Sequence, residues 1–275
     1  MVALQETMKN MLSGWLQTDT STRMGLVTFL FVIYYAACNA YWINKSRSGD
    51  ELRKLRRIAG LDAIDEAIGR CTEMGRPLLY NTGMEAMTPR TFASLAILGY
   101  VAAATVRYDT RIITVMRPPQ VIPLVESVVS QAYMEAGNPQ GFRREDVRFL
   151  TTDQFGYATG TLGIIIREQV AAHLMFGNYM AEALIFCSAG YRSDAISIAG
   201  TDNPTQTSYF LAGCDYTLLG EELFAASAYL SQDRIRISTI TAQDMGKLLL
   251  VAMIALGMIF TTFGSTIIQD LMSLY

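Results

Sequence analysis

The sequence has few of the residues that carry most metal and nucleophile chemistry. Its 275 residues include one histidine and four scattered cysteines, which are Cys38, Cys71, Cys187 and Cys214. No two cysteines stand in a Cys-x-x-Cys spacing, so neither a zinc site nor a disulfide framework is indicated. One histidine, His173, cannot supply a two-histidine metal site, and its apolar neighbours favour a packing role over catalysis. The sequence therefore predicts no metal and no cofactor.

Two further absences exclude whole classes of function. No glycine-rich loop ends in Gly-Lys-Ser or Gly-Lys-Thr, which excludes ATP hydrolysis by the Walker route. The 22 basic and 25 acidic residues give a net charge of −3, so neither nucleic acid nor an acidic polymer is implied as a partner. These absences favour a protein that is not an enzyme, although they do not exclude one.

Two long apolar stretches without a formal charge bracket the chain, at residues 24–43 and 248–268. A bilayer core of about 30 Å is crossed by about 20 helical residues, so both stretches predict transmembrane helices. The first helix is predicted at 24–43 and the second at 241–270, opened by a capping box of Thr241 and Asp244. A cleaved signal peptide is the alternative for the first stretch.

The basic residues indicate an orientation. Two basic residues precede the first stretch and six follow it. The six are Lys45, Arg47, Arg53, Lys54, Arg56 and Arg57. Because cationic loops resist translocation, we expect a cytoplasmic domain at 44–240, with both termini outside the plasma membrane of a prokaryote. Residues 1–23 predict an amphipathic helix in the outer interface or a frayed terminus, and residues 271–275 a short external tail.

The middle domain alternates predicted strands and helices. Strands are predicted at 77–80, 111–116, 147–151, 183–187 and 195–199, and helices at 50–74, 89–107, 119–136, 159–176 and 208–230. The short connection between the last two strands favours an antiparallel hairpin. Residues 234–241 form an edge strand or a connector, and 89–107 is interpreted as a core helix and not a third span. The alternation predicts a Rossmann-like three-layer α/β sandwich with a mostly parallel sheet.

Polar residues follow the predicted strands, where ligands bind in open parallel sheets. These candidates are Asn81, Thr82, Gly83, Arg117, Thr152, Asp153, Ser188, Tyr191, Thr201, Asp202 and Asn203. Two acids and an arginine could bind a polar small molecule or perform acid–base chemistry. The same residue types also form turns and cap helices, and that alternative stays open.

A glycine pattern follows the third predicted strand. Gly156, Gly160 and Gly163 stand where backbone amides at a helix start can hold a phosphate. Their spacing differs from Gly-x-Gly-x-x-Gly. An acid that binds a ribose is expected at the end of the next strand, whereas Glu182 falls at the start of that predicted strand, at the wrong edge of the sheet. Tight helix packing is the alternative explanation for the glycines.

Two segments carry a resemblance to a known family. Residues 213–231 (GCDYTLLGEELFAASAYLS) and 75–80 (GRPLLY), together with the terminal apolar stretches, resemble uncharacterised bacterial and archaeal membrane proteins classed as a domain of unknown function. The resemblance covers the middle domain and implies a Rossmann-like domain between two transmembrane helices. It implies no catalytic residues.

Three functions fit these observations. The first is a membrane-anchored scaffold that forms homo-oligomers, because two short tethers reduce the rotational freedom that association costs. Small residues in the spans, such as Ala36 and Ala40, allow close helix contact in the bilayer. The second is a membrane-bound enzyme or a small-molecule or nucleotide sensor that uses the strand-end loops. The third is an accessory subunit of a larger membrane complex.

Overall fold

The computed structural model describes residues 20–47 and 59–262, which divide into two compact units. One unit contains helices α1 (Thr20–Arg47) and α9 (Arg234–Thr262), and the other contains the elements between them. Within the first unit the two helices pack together, and Gly246 of α9 faces the ring of Tyr35 in α1. The predicted interfacial segment up to residue 19, the end of the second predicted span and the external tail lie outside the described residues.

The second unit alternates helices and strands. Its elements are α2 (Ala59–Met74), β1 (Leu78–Asn81), α3 (Pro89–Arg107), β2 (Ile112–Met116), α4 (Ile122–Glu135), β3 (Val147–Phe149), α5 (Gln154–Glu168), β4 (Ala172–Phe176), α6 (Glu182–Ser193), β5 (Ile196–Thr201), α7 (Pro204–Gly213), β6 (Tyr216–Leu219) and α8 (Glu222–Ser231). Short 3₁₀ turns precede α4 and β3. The prediction of helix 89–107 is confirmed to the residue.

The six strands form one sheet in the order β3-β2-β1-β4-β5-β6, and every neighbouring pair is parallel. Helices α2, α3, α4 and α8 pack on one face, and α5, α6 and α7 on the other. In β1, Leu78 and Tyr80 enter the first core while Leu79 enters the second, as the two-residue period of a strand requires. The predicted α/β class and parallel sheet are confirmed, and the sheet carries helices on both faces.

The central strands β1, β2, β4 and β5 are buried along their whole length. Because both faces are covered by helices, such strands read as continuous apolar runs and not as alternating ones. A short apolar run of this kind can be mistaken for a buried helix, and the prediction for β4 was wrong in this way.

The predicted helix 159–176 is wrong, because it combines α5 with strand β4. Helix α5 begins at Gln154 and ends at Glu168, and Gln169 then adopts a left-handed conformation with φ 50°. Glycine is the residue that usually occupies this position, and a glutamine gives no comparable indication that the helix stops. The helical pattern was therefore extended through the apolar strand that follows.

The predicted strand 183–187 is also wrong, and so is the antiparallel hairpin. These residues lie in α6, whose buried Ala183, Phe186, Cys187 and Gly190 recur at helical intervals. Helix α6 connects β4 to β5 as a parallel crossover. Ser188 and Tyr191 consequently do not follow a strand.

The predicted helix 208–230 contains three elements, which are the end of α7, strand β6 and most of α8. Gly220 has φ 59° and separates β6 from α8. The edge strand or connector predicted at 234–241 is the first part of α9, so that helix begins before the proposed capping box of Thr241 and Asp244.

Two described helices are long and apolar enough to cross a membrane, Pro89–Arg107 and Arg234–Ile259. The first lies in α3, where Ile97, Leu98 and Val101 are completely buried against the sheet and neighbouring helices. Helix α3 is therefore a core helix, as the sequence predicted. The second has only 11% of its most apolar window buried.

Candidate functional site

The carboxyl edge of the sheet has a point where the chain reverses its direction of winding. Strands β1 and β4 are neighbours there, and their connections lead to opposite sides of the sheet. Ligands of doubly wound sheets bind in the crevice at such a point. Asn81 ends β1, and Thr82 and Gly83 follow it directly, so these three predicted residues lie at the switch point.

The chain itself closes this crevice. The Met84 amide donates a hydrogen bond to the Asn178 carbonyl (2.9 Å), joining the loop after β1 to the loop after β4. Gly83 and Gly177 meet at this contact with φ of 86° and 136°. A Cβ atom on Gly177 would lie 2.9 Å from the Thr82 carbonyl oxygen, closer than real contacts allow. Both positions therefore need glycine, because the backbones of the two loops approach each other closely. This contact lies where a ligand would otherwise enter.

A buried network lies below this contact. The Asn81 Oδ1 atom accepts hydrogen bonds from the Gly83 amide (3.0 Å), the Tyr157 hydroxyl (2.6 Å) and the Tyr179 hydroxyl (3.2 Å). Burial raises the pKa of both tyrosines, so their hydroxyls stay protonated and act as donors. Asn81 Nδ2 is buried with no hydrogen-bond partner among the described residues. The predicted ligand residue Asn81 is thus mainly engaged with the protein's own side chains.

Above the network, an ion cluster joins three strand-end loops. Arg90 in the first turn of α3 pairs with Asp202 through Nε and with Glu85 through Nη1 (3.0 Å). Asn178 donates to Glu85 (2.9 Å), and Asn203 donates to Asn178 (3.2 Å). The hydrogen bond to Asp202 raises the pKa of Arg90, with Glu85 adding to the effect, which keeps the guanidinium charged. This cluster links the ends of β1, β4 and β5.

Of this cluster, the sequence pattern predicted Asp202 and Asn203. Glu85 and Arg90 could have been found, because they flank the predicted helix start at Pro89. Asn178 could not, because the strand that places it at this edge was assigned to a helix.

The two predicted acids and the predicted arginine do not meet. Arg117 donates to the Thr152 carbonyl oxygen (2.7 Å) at the ends of β2 and β3, and Asp153 caps α5 nearby. Asp202 follows β5, which lies three strands from β2, or about 14 Å at the usual strand spacing. The sheet order therefore separates the groups that a single acid–base site would need.

The glycine pattern lies on α5, and its members differ in their surroundings. A Cβ atom on Gly156 would lie 2.9 Å from Thr151 Cγ2, and one on Gly160 would lie 3.2 Å from Leu150 Cδ1. The nearest atom to one on Gly163 would be 3.8 Å away. The first two glycines thus let the helix pack against the segment after β3. The Gly156 amide already donates to the Asp153 carboxylate (2.6 Å), which would repel a phosphate.

Other helices that start at this edge are capped in the same way. Thr88 accepts from the Thr91 amide at the start of α3, and Asn203 accepts from the Thr205 amide at the start of α7. In both helices a proline occupies the first turn and removes a donor. Glu182 at the start of α6 is buried and accepts from the Met180 amide (2.6 Å) and from Gln154 (2.6 Å). Anion sites at helix starts need free amides; α3 and α7 have side-chain caps, and α6, which has none, carries the buried Glu182 carboxylate in its first turn, where it would repel an anion.

The histidine lies inside the protein and not at this edge. His173 is completely buried in β4, with its ring edge-on to Phe186. Burial lowers its pKa to about 3, so the ring is neutral at physiological pH. Neither ring nitrogen has a partner among the described residues, so its packing role is confirmed but its polar atoms are not satisfied. The described part of the chain contains no cluster of three or more metal-ligating side chains.

These features define a doubly wound parallel α/β protein whose switch-point crevice is filled by its own loops and side chains. The chain belongs to the family described as a domain of unknown function (DUF6754), which matches residues 17–272. Searches of curated proteins and of solved structures give no match. The predicted resemblance to a family of unknown function is confirmed at this level.

Proposed function

We propose that the protein is a membrane-anchored scaffold that assembles into homo-oligomers through its α/β unit. Its main support is the outer surface of the layer formed by α5, α6 and α7. Large apolar side chains stand exposed there, namely Phe155, Ile166, Met180, Leu184, Tyr191 and Leu211. Exposed apolar groups of this size mark interaction surfaces, because water contact with them is unfavourable.

The charge distribution supports the same surface. Helix α7 carries no charged residue, and the charges of α6 are Glu182, which is buried, and Arg192 in its last turn. Helix α2 on the opposite layer, by contrast, carries five charged residues in 16 positions, namely Asp62, Asp65, Glu66, Arg70 and Glu73. Interface cores are depleted of charge, so the surface of α6 and α7 is a better subunit contact than that of α2.

Membrane anchoring is supported by the surface of α9. After Lys247 the helix has no charged residue up to Thr262, and its exposed side chains are Leu248, Leu250, Val251, Ile254, Leu256, Met258 and Ile259. An apolar surface around a helix is favourable in a bilayer and unfavourable in water.

Helix α1 contains the first proposed span and exposes Phe29, Val32 and Ile33. Near its end, the Lys45 ammonium lies over the Trp42 ring (5.2 Å), and Tyr41 packs edge-on to Trp42. Aromatic rings and lysines of this kind occupy the membrane–water interface, and the following basic residues favour a cytoplasmic α/β unit.

A scaffold role fits the carboxyl edge better than catalysis or nucleotide sensing. The switch-point crevice is occupied by the chain, the starts of α3, α5 and α7 are capped while that of α6 carries Glu182, and the charged candidates lie in separate places. An enzyme or sensor that used this edge would need an open crevice, a helix start free to bind an anion, or charged groups that converge.

The assembly proposal is tested by native mass spectrometry of the full-length protein in mild detergent. We expect a homo-oligomer that dissociates in Ile166→Glu and Leu184→Glu, because each places a charge in the contact. Met134→Glu is the matched control, since Met134 is equally exposed but lies on α4 in the opposite layer. A wild-type monomer whose melting temperature rises with a nucleotide would reject the scaffold in favour of a sensor or enzyme.

A further inference from the structure

Two cysteines that are distant in sequence lie side by side. Cys187 is in α6, and Cys214 is in the connection between α7 and β6. Their sulfur atoms are 3.6 Å apart, and both are thiols. A Cβ atom on Gly213 would lie 2.6 Å from Cys187 Cβ, so the glycine before Cys214 is what permits this approach. We propose that Cys187 and Cys214 are a redox-sensitive pair that forms a reversible intramolecular disulfide when hydrogen peroxide oxidises them.

The geometry requires little rearrangement. A disulfide has a sulfur–sulfur distance of about 2 Å, so the two sulfurs must approach by about 1.5 Å, which side-chain rotation can supply. The other two cysteines lie elsewhere, since Cys38 is in α1 and Cys71 is completely buried in α2. Cys187 is 6% exposed and Cys214 is partly exposed, so a molecule close to the size of water can reach the pair.

Cys187 is assigned as the thiol that reacts first. A hydrogen bond from the Cys214 thiol lowers the pKa of Cys187, whereas the same contact and burial raise the pKa of Cys214. The Cys187 thiolate attacks one peroxide oxygen, forming an S–O bond and breaking the O–O bond, and the released hydroxide takes a proton to become water. The Cys214 sulfur then attacks the sulfenic acid, forming the S–S bond and releasing a second water. Two thiols and one peroxide thus give one disulfide and two waters.

The disulfide would link α6 covalently to the segment before the edge strand β6. Cys214 directly precedes Asp215, whose amide and carboxylate both bond to the backbone of Ser197 beside β6. A covalent link from there to α6 closes a loop that contains β5 and α7, and so restricts the unfolded chain. The oxidised protein is therefore expected to melt at a higher temperature than the reduced protein.

The test uses the reduced full-length protein in detergent, treated with hydrogen peroxide and then denatured and alkylated. We expect the thiol count to fall from four to two and a peptide linking Cys187 to Cys214 to appear in mass spectrometry, with both changes reversed by dithiothreitol. Cys38→Ser is the matched control and keeps the linked peptide. Cys214→Ser, which preserves the side-chain size, stops the link and leaves a sulfenic acid on Cys187 that dimedone traps.

Loss of thiols without a Cys187–Cys214 peptide in the wild type would overturn the proposal, as would a peptide linking any other pair. The wild-type result decides the matter even if a variant folds poorly. Failure of this proposal and failure of the scaffold function are distinguishable, because the linked peptide joins two cysteines of one chain, whereas assembly is read from the mass of the intact oligomer.

Discussion

At the residue scale, Asn81 connects the end of β1 to two other elements through one oxygen atom. Replacing it with alanine removes the acceptor of the Gly83 amide and of the Tyr157 hydroxyl, whereas the Tyr179 hydroxyl keeps the backbone carbonyl oxygen of residue 81 (3.0 Å). A buried donor without a partner is energetically unfavourable, so Asn81→Ala should lower the free energy of unfolding by about 2–4 kcal/mol.

Chemical denaturation measures this effect, with Ser188→Ala as the control. Ser188 is exposed on α6 and bonds only within its own helix, so its loss should change stability by under about 0.5 kcal/mol. Equal changes in the free energy of unfolding for the two substitutions would show that the Asn81 hydrogen bonds do not stabilise the fold.

His173 gives the protein a predicted pH dependence. Its pKa is lowered from 6.5 to about 3 in the folded state, so the unfolded chain binds a proton below pH 6.5 and the folded protein does not until about pH 3. Stability contributed by the neutral ring is therefore present above pH 6.5 and declines as the pH falls towards 3. Between pH 7 and pH 5 we expect a loss of about 2 kcal/mol.

Because the chain has one histidine, His173→Leu isolates this contribution. Denaturation curves at pH 7 and pH 5 should show a smaller difference in the variant than in the wild type. The same difference in both proteins would mean that His173 titrates in the fold as it does in the unfolded chain.

At the element scale, Gly190 sets how closely α6 can approach β5. A Cβ atom there would lie 2.0 Å from Ser197 Oγ and 3.3 Å from Ser197 Cβ, so Gly190→Ala requires the buried Ser197 hydroxyl to rotate and the helix to shift by a few tenths of an ångström. We expect a loss of about 1–3 kcal/mol in thermal or chemical denaturation.

Gly163→Ala on α5 is the matched control, because its Cβ atom would meet nothing closer than 3.8 Å. Alanine in a helix interior is favoured over glycine, so this variant should be neutral or up to about 1 kcal/mol more stable. A destabilised Gly163→Ala protein would indicate that the position has a role beyond helix packing.

The elements that the sequence predicted well share clear boundaries. Helix α3 has Thr88 as a cap, Pro89 in its first turn and a long apolar pattern, and its predicted limits are those of the structure. Helices α5, α6 and α8 instead end at Gln169, Asp194 and Gln232 in the left-handed conformation. The ends of these helices depend on tertiary packing that stabilises the left-handed conformation. No glycine at these positions indicates the helix end in the sequence.

The sequence also predicted only some residues of the candidate site. Asn81, Thr82, Gly83 and Asp202 were placed at the carboxyl edge because their strands were recognised. Asn178 and Tyr179 were missed because β4 was not. That Arg117 and Asp153 lie apart from Asp202 depends on strand order, which local sequence patterns do not encode.

At the scale of the whole molecule, the proposed topology predicts which surface is accessible from outside a cell. Met134 is 58% exposed on α4, outside the proposed subunit contact, so a cysteine there should react readily with a thiol reagent. In Met134→Cys we expect labelling by a membrane-impermeant maleimide only after the cells are permeabilised, because the basic residues after the first proposed span favour a position of the unit on the inner side.

Wild-type protein in permeabilised cells supplies the background from the native thiols. Strong labelling of Met134→Cys in intact cells would place the α/β unit outside and reverse the orientation. Extraction of the protein by alkaline carbonate would contradict anchoring by α1 and α9.

The sequence by itself determined the α/β class, the parallel sheet, the core helix α3 and the terminal apolar stretches, because each follows from local hydrophobic pattern and end residues. Only the tertiary structure decided the order of the six strands, the closure of the switch point by Gly83 and Gly177, and the contact of Cys187 with Cys214. These features join residues far apart in the chain. Their positions are fixed by packing across the sheet, which no short segment specifies.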